Sequence, residues 1–461
     1  MRTKDQPILG NSLPSIASIP SSKSIPSSKS IPSSKSIPAT DFCVNVALGE
    51  PTLSNGLTWV YKMKRYSELQ TLFYNDCLAD LQTNLAKLHS NLFIIPTANH
   101  QNCIETFLSK LKSKYKIQVL VAMEQYTLEE RRVIERLSRG VPLTVLVGGQ
   151  TLVDVKLFSN PVPSTYTQFR KMVESHPKPF RDFCNSDSIK LAPFPCDLEE
   201  LGLSSMPLSS TSSSDNWHPQ TAFPFTGGES SGRNRVESYL FQTNAVSNYK
   251  KTRNGMVGPD YSTKFSPFLA FGCISPRYIM DRLWTYEETV TKNESTYWVF
   301  FELLWRDYFI FVARDFGTLL FHPRGIAQTK KNQGWKKDDE RFEKWKVGET
   351  GVPFVDAAMR ELSMTGFMSN RARQNVASFL IHDLELDWRL GAEWFESQLL
   401  DYDPCSNYGN WQYLAGVGND PVAGRKFNVI KQALDYDPLG EFIKLWCPEL
   451  KGFVFGFMIH V

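Results

Sequence analysis

From position 67 onward the chain changes its hydrophobic rhythm several times, and each change predicts an element. Between residues 72 and 88 the apolar side chains Leu72, Cys77, Leu78, Leu81, Leu85 and Leu88 recur at helical spacing, which predicts a helix with one buried face. Leu92–Ile95 is a short unbroken apolar run, as in a strand covered on both sides. A helix is then predicted over 104–111, a strand over 117–123, a charged helix over 128–137 and a strand over 143–147. Such alternation, with short apolar strands, predicts a parallel α/β sheet. Residues 41–66 give no clean strand–helix unit, so the sheet is expected to start in mid-fold.

The flanking segments read differently. Residues 1–40 are low complexity, with Ser-Ser-Lys-Ser-Ile-Pro repeated three times from Ser21 to Pro38. That composition cannot bury enough apolar surface to offset backbone entropy, so disorder is expected. Its serine-rich, basic character also resembles an organellar transit peptide, which makes chloroplast or mitochondrion an expected address beside a plain disordered extension. Residues 176–234 are rich in Ser, Pro and Gly and read as an interdomain linker. The remainder, from 235, is helical and aromatic, with nine of the eleven tryptophans between Trp284 and Trp446.

Composition narrows the function classes. The 461 residues carry a formal net charge of +3, too balanced for coating nucleic acid by bulk charge, so a polyanion would be met by a local patch. No stretch approaches the ~18 uninterrupted apolar residues of a membrane helix; no membrane partner is expected, and the chain reads as soluble and intracellular. The eight cysteines include no Cys-x-x-Cys pair, which disfavours a zinc ribbon or a disulfide scaffold and fits a reducing compartment. No metal site is expected, since the Asp401/Asp403 loop lacks the glycine and glutamate of a calcium loop.

Three polar segments interrupt the helical part. Tyr261-Ser-Thr-Lys-Phe-Ser-Pro reads as a hydroxyl-rich turn before a helix capped by Ser266 and Pro267, and Ser275-Pro276 repeats the device. Free N–H groups and hydroxyls there would suit a pyrophosphate, or would simply cap helices. In Phe301-Glu-Leu-Leu-Trp-Arg, Glu302, Trp305 and Arg306 share a helix face, read either as an internal Glu–Arg pair or as polar groups awaiting a ligand. Farther on, Asn370, Arg373 and Gln374 share a face while Arg371 points elsewhere, and Asp401 to Tyr413 is rich in Asp and Asn. An arginine facing a buried aspartate beside an asparagine suits a flavin ring.

These runs carry a family resemblance. Residues 227–450 resemble the flavin-binding domain of the photolyase/cryptochrome family, most of all the DASH-type cryptochromes, through Gly227-Gly-Glu, Thr252-Arg-Asn-Gly, Tyr261 to Pro267, Phe301 to Phe309, Asp356 to Leu362, Met368 to Gln374 and Asp401 to Asp420. Gln374, Asn410 and Tyr413 carry the DASH resemblance. Residues 71–175 resemble the rest of the family's antenna domain, with Tyr166 to Lys171 a DASH-like run, while the family's opening strand and following unit are missing and Lys451 to Val461 departs from its C-terminus.

The resemblance implies an α/β antenna-type domain with a truncated parallel sheet (67–175, after an atypical 1–66), a linker (176–234) and an all-α FAD-binding domain (235–461). It implies FAD held by Tyr249, Ser262, Thr263, Lys264, Phe265 and Ser266 at the phosphates, and by Arg306, Asn370, Arg373, Asp401, Asp403 and Asn407 around the ring, with an Arg373–Asp401 ion pair. Trp335, Trp388 and Trp411 match an electron relay. Glu302, Trp305, Arg253, Asn370, Arg371 and Tyr413 match residues of a cavity for a pyrimidine dimer, with Glu302, Trp305 and Asn407 in catalytic roles and Lys250 and Lys251 beside the mouth. Glu124 matches a contact to a folate antenna, 5,10-methenyltetrahydrofolate. The activity implied is light-driven splitting of cyclobutane pyrimidine dimers, preferentially in single-stranded DNA, by a monomer; a light-sensing protein that binds FAD without repair is the alternative.

Overall fold

The computed structural model describes residues 45–48, 57–58, 60–95, 103–115, 117, 120–138, 143–146, 148–158, 161–181, 198–203, 205–208, 212–328, 334–420 and 425–452. The serine-rich repeats and residues 453–461 lie outside them.

The first half runs β1 (Asn45–Leu48), α1 (Glu68–Lys87), β2 (Leu92–Ile95), α2 (Cys103–Lys114), β3 (Leu120–Met123), α3 (Leu128–Ser138), β4 (Leu143–Leu146) and α4 (Tyr166–Ser175). Among the described residues the strands form two parallel pairs, β1 with β2 and β3 with β4. β1 corrects the sequence reading: Asn45 pairs with Leu92 and Leu48 with Ile95. Val46-Ala47-Leu48 is too short to show a period, and a strand that short forms only because β2 offers it a partner.

α1 starts at a capping box, with Ser67 and Gln70 each accepting from the other's backbone N–H. Its buried face carries Phe73, Cys77, Leu78, Leu81 and Leu85. Phe73 reaches across to Phe268 of the helical half and to Phe223 in the segment before it, so the two halves share one core.

The second half is helical: α5 (Glu229–Glu237), α6 (Tyr249–Thr252), α7 (Ser266–Ala270), α8 (Pro276–Thr289), α9 (Glu294–Phe316), α10 (Asp339–Val347), α11 (Pro353–Thr365), α12 (Asn370–His382), α13 (Trp388–Gln398), α14 (Pro404–Ala415), α15 (Val429–Tyr436) and α16 (Glu441–Trp446). α5 begins inside the stretch read as linker. None of the described helices is long and apolar enough to cross a membrane.

Two sets of buried charges fix the halves together. Arg277 donates to the carbonyls of Thr151 and Gly149, Arg306 donates to Gln150 at 2.6 Å, and Asp307 accepts from Val153 N–H at 2.7 Å. The segment after β4 is thereby laid along α9. Farther round, the end of the stretch expected to be an atypical extension is tightly docked. Glu393 on α13 accepts from the Val60 and Tyr61 N–H groups at 2.7 and 2.8 Å, Tyr61 donates its hydroxyl to Asp387, and Arg65 pairs with Glu396 at 2.7 Å.

Candidate functional site: a two-chambered cavity in the helical half

Two adjoining chambers open between α6, α7, α9, α12 and α14. The larger is about 1180 Å³ and the smaller about 540 Å³, and Asn370, Arg373, Asp401, Asp403 and Ser406 line both. These five shared residues join the chambers into one elongated site, a shape that suits an extended ligand.

Tyr249 and the run Ser262 to Ser266 form one wall of the larger chamber. The buried Arg235 shapes that run: it donates to the carbonyls of Thr263 (3.0 Å), Ser262 (3.0 Å) and Pro259 (3.1 Å) and pairs with Asp260. Because a trans peptide holds C=O and N–H on opposite sides, the N–H groups of Thr263 and Lys264 turn away from Arg235. Lys264 completes the turn at φ +61°. Ser266 is not the helix cap that the sequence suggested. Phe265, already at helical φ −81° and ψ −17°, occupies the cap position, so Ser266 is the first helical residue and not an extended cap. Ser275 does cap α8, accepting from Tyr278 N–H at 3.0 Å.

The ring-sized end is built by α12 and α14. Arg373 donates to Asp401 Oδ2 at 3.0 Å and to the Met368 carbonyl at 2.9 Å, while Asp401 Oδ1 is buried without a partner. Asp403 caps α14 by accepting from Ser406 N–H at 2.7 Å. Asn407 gives its amide N–H to the Ala392 carbonyl at 3.0 Å, which leaves its Oδ1 for a ligand in the smaller chamber. Asn370, exposed at the start of α12, stands where the chambers meet.

At the opposite side of the larger chamber Glu302 pairs with Arg253, 49 residues away, and not with Arg306. Arg306 lines the chamber but spends a donor on Gln150. Burial holds the Glu302 carboxyl above its ordinary range, Arg253 opposing.

Other expected residues stand outside these walls. Trp305 stacks on Tyr166 at 3.7 Å and 11°, with Tyr413 edge-on at 6.1 Å. Arg371 does not point away from Gln374 but donates to it at 2.9 Å, because i and i+3 are neighbours on a helix, and it also reaches Asn254 at 3.2 Å. Glu124 sits after β3, accepting from the Tyr126 hydroxyl at 3.0 Å. Its carbonyl accepts from the Gln150 amide, one step from Arg306.

The three relay candidates run from the cavity to the surface. Trp411 lines the smaller chamber and is buried. Trp388 is fully buried, touches Tyr408 one turn before Trp411, and shares the Pro323 carbonyl with half-buried Trp335, both indoles donating at 3.2 Å. Gly391 permits this packing: a Cβ there would fall 2.1 Å from the Trp411 ring. Sequence reasoning missed Gly391, the carbonyl clamps Arg235 and Arg277, and Trp345, whose ring lies 6.4 Å from that of Trp411.

In the 262–266 wall and behind it, Lys264 and Glu361 are both buried, and neither Lys264 Nζ nor the Glu361 oxygens have a hydrogen-bond partner. Burial pushes the Glu361 carboxyl up to about 8, Lys264 and Arg373 opposing. The folded chain therefore holds a proton on Glu361 that the unfolded chain has released once pH passes the ordinary carboxylate range, so the Glu361 contribution falls as pH rises towards 8, while Lys264, whose charged form burial disfavours, acts in the opposite sense. Urea titrations at several pH values should show that Glu361→Gln makes the slope of unfolding free energy against pH less negative between about pH 5 and 8.

Comparison with known proteins agrees with this geometry. The FAD-binding domain of DNA photolyase matches residues 298–460, and the DNA photolyase domain matches residues 54–187. Cryptochrome DASH of Xenopus laevis is 48% identical over 82% of this chain and 72% of its own. Chloroplastic/mitochondrial cryptochrome DASH of Oryza sativa subsp. japonica is 42% identical over 90% of this chain and 73% of its own. The crystal structure of a Synechocystis cryptochrome superposes with a TM-score of 0.79 at 37% identity, covering 90% of this chain and 85% of that one.

The residues present fit FAD. The unpartnered Asp401 oxygen beside Arg373 offers an acceptor to a heterocycle N–H, and the clamped run 262–266 offers N–H groups and hydroxyls to phosphates. An α/β half followed by a helical FAD-binding half, at this level of identity, makes the chain a member of the photolyase/cryptochrome family, within its DASH group.

Proposed function

We propose that this protein is a light-driven lyase that splits cyclobutane pyrimidine dimers, preferentially in single-stranded DNA. The observation that carries the reading is the coupling of two sites in one cavity: the Arg373–Asp401 end suited to a flavin and, across the larger chamber, the Arg253–Glu302 pair suited to a flipped dimer. When bound, FAD supplies a light-excited electron donor, with no net redox change over a turnover. The chain does the rest. Arg373 and Asp401 orient the ring, Asn407 offers its free amide oxygen at the ring edge, and Glu302 presents a proton to a dimer carbonyl from a position where burial keeps the carboxyl protonated to higher pH. Arg253, Arg371, Lys250 and exposed Lys251 take the DNA phosphates at the mouth. Extruding two bases costs least from a single strand.

The test is illumination of purified, reduced, FAD-loaded protein with a dimer-bearing oligothymidine; no light-dependent loss of dimers overturns the reading. Trp411, Trp388 and Trp335 are proposed to bring electrons inward, so Trp411→Phe should slow photoreduction of oxidised protein at least ~10-fold while repair by chemically pre-reduced protein persists. Flavin absorbance under illumination reads the first, dimer loss the second.

Light sensing without repair is favoured by one observation: Tyr166 already covers a face of Trp305, so a base stacking on that face must displace it. Two further readings rest on relatives and resemblance. The rice relative's organellar name supports targeting by the N-terminal region, tested by fusing residues 1–60 to a fluorescent reporter. A folate antenna near Glu124 would transfer excitation towards the cavity past Gln150 and Arg306, and folate titration against Glu124→Ala tests it.

A further inference from the structure

Four buried thiols stand among the described side chains, at Cys77, Cys273, Cys405 and Cys447, and two of them meet. Cys77 lies mid-way along α1, and Cys273 follows α7 in the turn before α8. They are 196 positions apart in sequence, yet their sulfurs share a hydrogen bond at 3.4 Å, and the residues are 1% and 0% exposed.

The packing holds these two sulfurs together. Both sit in the seam where Phe73 of α1 packs on Phe268 of α7. The Gly228 N–H is directed at the pair, and a Cβ at the adjoining Gly227 would fall 2.8 Å from Cys77 Sγ, so the loop 227–228 is pressed against it. The hydrogen bond with Cys77 and the Gly228 N–H favour the Cys273 thiolate against burial, whereas burial pushes the Cys77 thiol up. α7 also forms part of the larger chamber's wall through Ser266, Leu269 and Ala270. A covalent link at Cys273 would therefore tie that wall to the α/β half.

We propose that Cys77 and Cys273 are an oxidisable dithiol that closes to a disulfide between the α/β half and the FAD-binding half when the protein meets a peroxide. The Cys273 thiolate attacks one peroxide oxygen; the O–O bond breaks, an S–OH forms, and the departing hydroxide takes a proton to become water. Cys77 then attacks the oxidised sulfur, the S–S bond forms, and the second hydroxide leaves and takes the Cys77 proton as water. Two thiols lose two electrons and two protons, and one hydrogen peroxide becomes two waters. Entry is by local opening of the seam, so closure is slow and first-order at saturating peroxide.

The experiment treats full-length, FAD-loaded protein with hydrogen peroxide, alkylates it in denaturant, and maps non-reduced peptides by mass spectrometry. The expected result is a Cys77–Cys273 peptide pair that dithiothreitol separates, with a higher unfolding temperature in the oxidised wild type and no such rise in Cys77→Ala or Cys273→Ala. Recovery of both cysteines as alkylated thiols, or of either only as a sulfinic or sulfonic acid, overturns the proposal. Peptide mapping needs no light reaction, so its failure is separate from failure of repair, and it remains decisive if the alanine variants do not fold.

Discussion

Glu302→Ala is expected to abolish light-dependent dimer splitting, by ~10²-fold or more, while FAD content and photoreduction remain near those of the wild type. The position of the carboxyl sets this outcome. α9 carries it to the larger chamber, away from the Arg373–Asp401 end, so its loss leaves the ring contacts intact. Burial raises its proton affinity against the opposing Arg253, which suits a group that must hold a proton beside a base carbonyl acquiring negative charge. A Glu302→Gln variant separates two contributions: an amide still donates a hydrogen bond but cannot yield a proton, so intermediate repair assigns the difference to proton transfer. The measurement is dimer loss per absorbed photon, alongside flavin absorbance. Unchanged repair in both variants removes Glu302 from the reaction. A wild type that photoreduces but never repairs leaves the light-sensing reading in possession.

Much of the fold was legible where local pattern and tertiary demand agree. Leu92–Ile95 was readable as a strand because a continuous apolar run has few other homes, and α1 because its apolar positions recur at helical spacing. β1 was not, since Val46 to Leu48 has no pattern of its own and is made a strand by β2. The ring end of the site was legible as chemistry: an arginine, two aspartates and an asparagine in an aromatic helical region have little reason to be there without a polar ligand, and Arg373 does meet Asp401. Partner choice over long range was not legible. Helical spacing offered Arg306 to Glu302, but the fold gave Glu302 to Arg253 and sent Arg306 to a carbonyl of the other half. Arg235 was invisible for the same reason, as it acts on backbone oxygens 24 to 28 positions ahead, a contact that leaves no side-chain signature.

Asp401→Asn is expected to weaken FAD binding by ~10²- to 10³-fold with a smaller effect on the stability of the empty protein. The Asp401 side chain is 4% exposed and is the carboxylate that Arg373 faces at 3.0 Å. Breaking a buried pair by removing one partner costs ~3–5 kcal/mol, because the remaining charge is left without compensation, and each ~1.4 kcal/mol is tenfold in affinity. The division between the two states follows from the cavity. Without ligand, Arg373 keeps 21% of its side chain open to the water-filled chambers and is partly solvated; a flavin filling that space removes the water, so the unpaired guanidinium is penalised mainly in the loaded protein. Asparagine keeps the volume and one acceptor, which confines the loss to charge. Arg373→Lys should behave similarly, since a single ammonium cannot hold the Asp401 carboxylate and the Met368 carbonyl in the fork that guanidinium spans. Equilibrium dialysis with FAD gives the affinities, and thermal unfolding of the cofactor-free variants shows that the fold survives; affinity within a factor of two of wild type in both variants would remove the ion pair from the cofactor site.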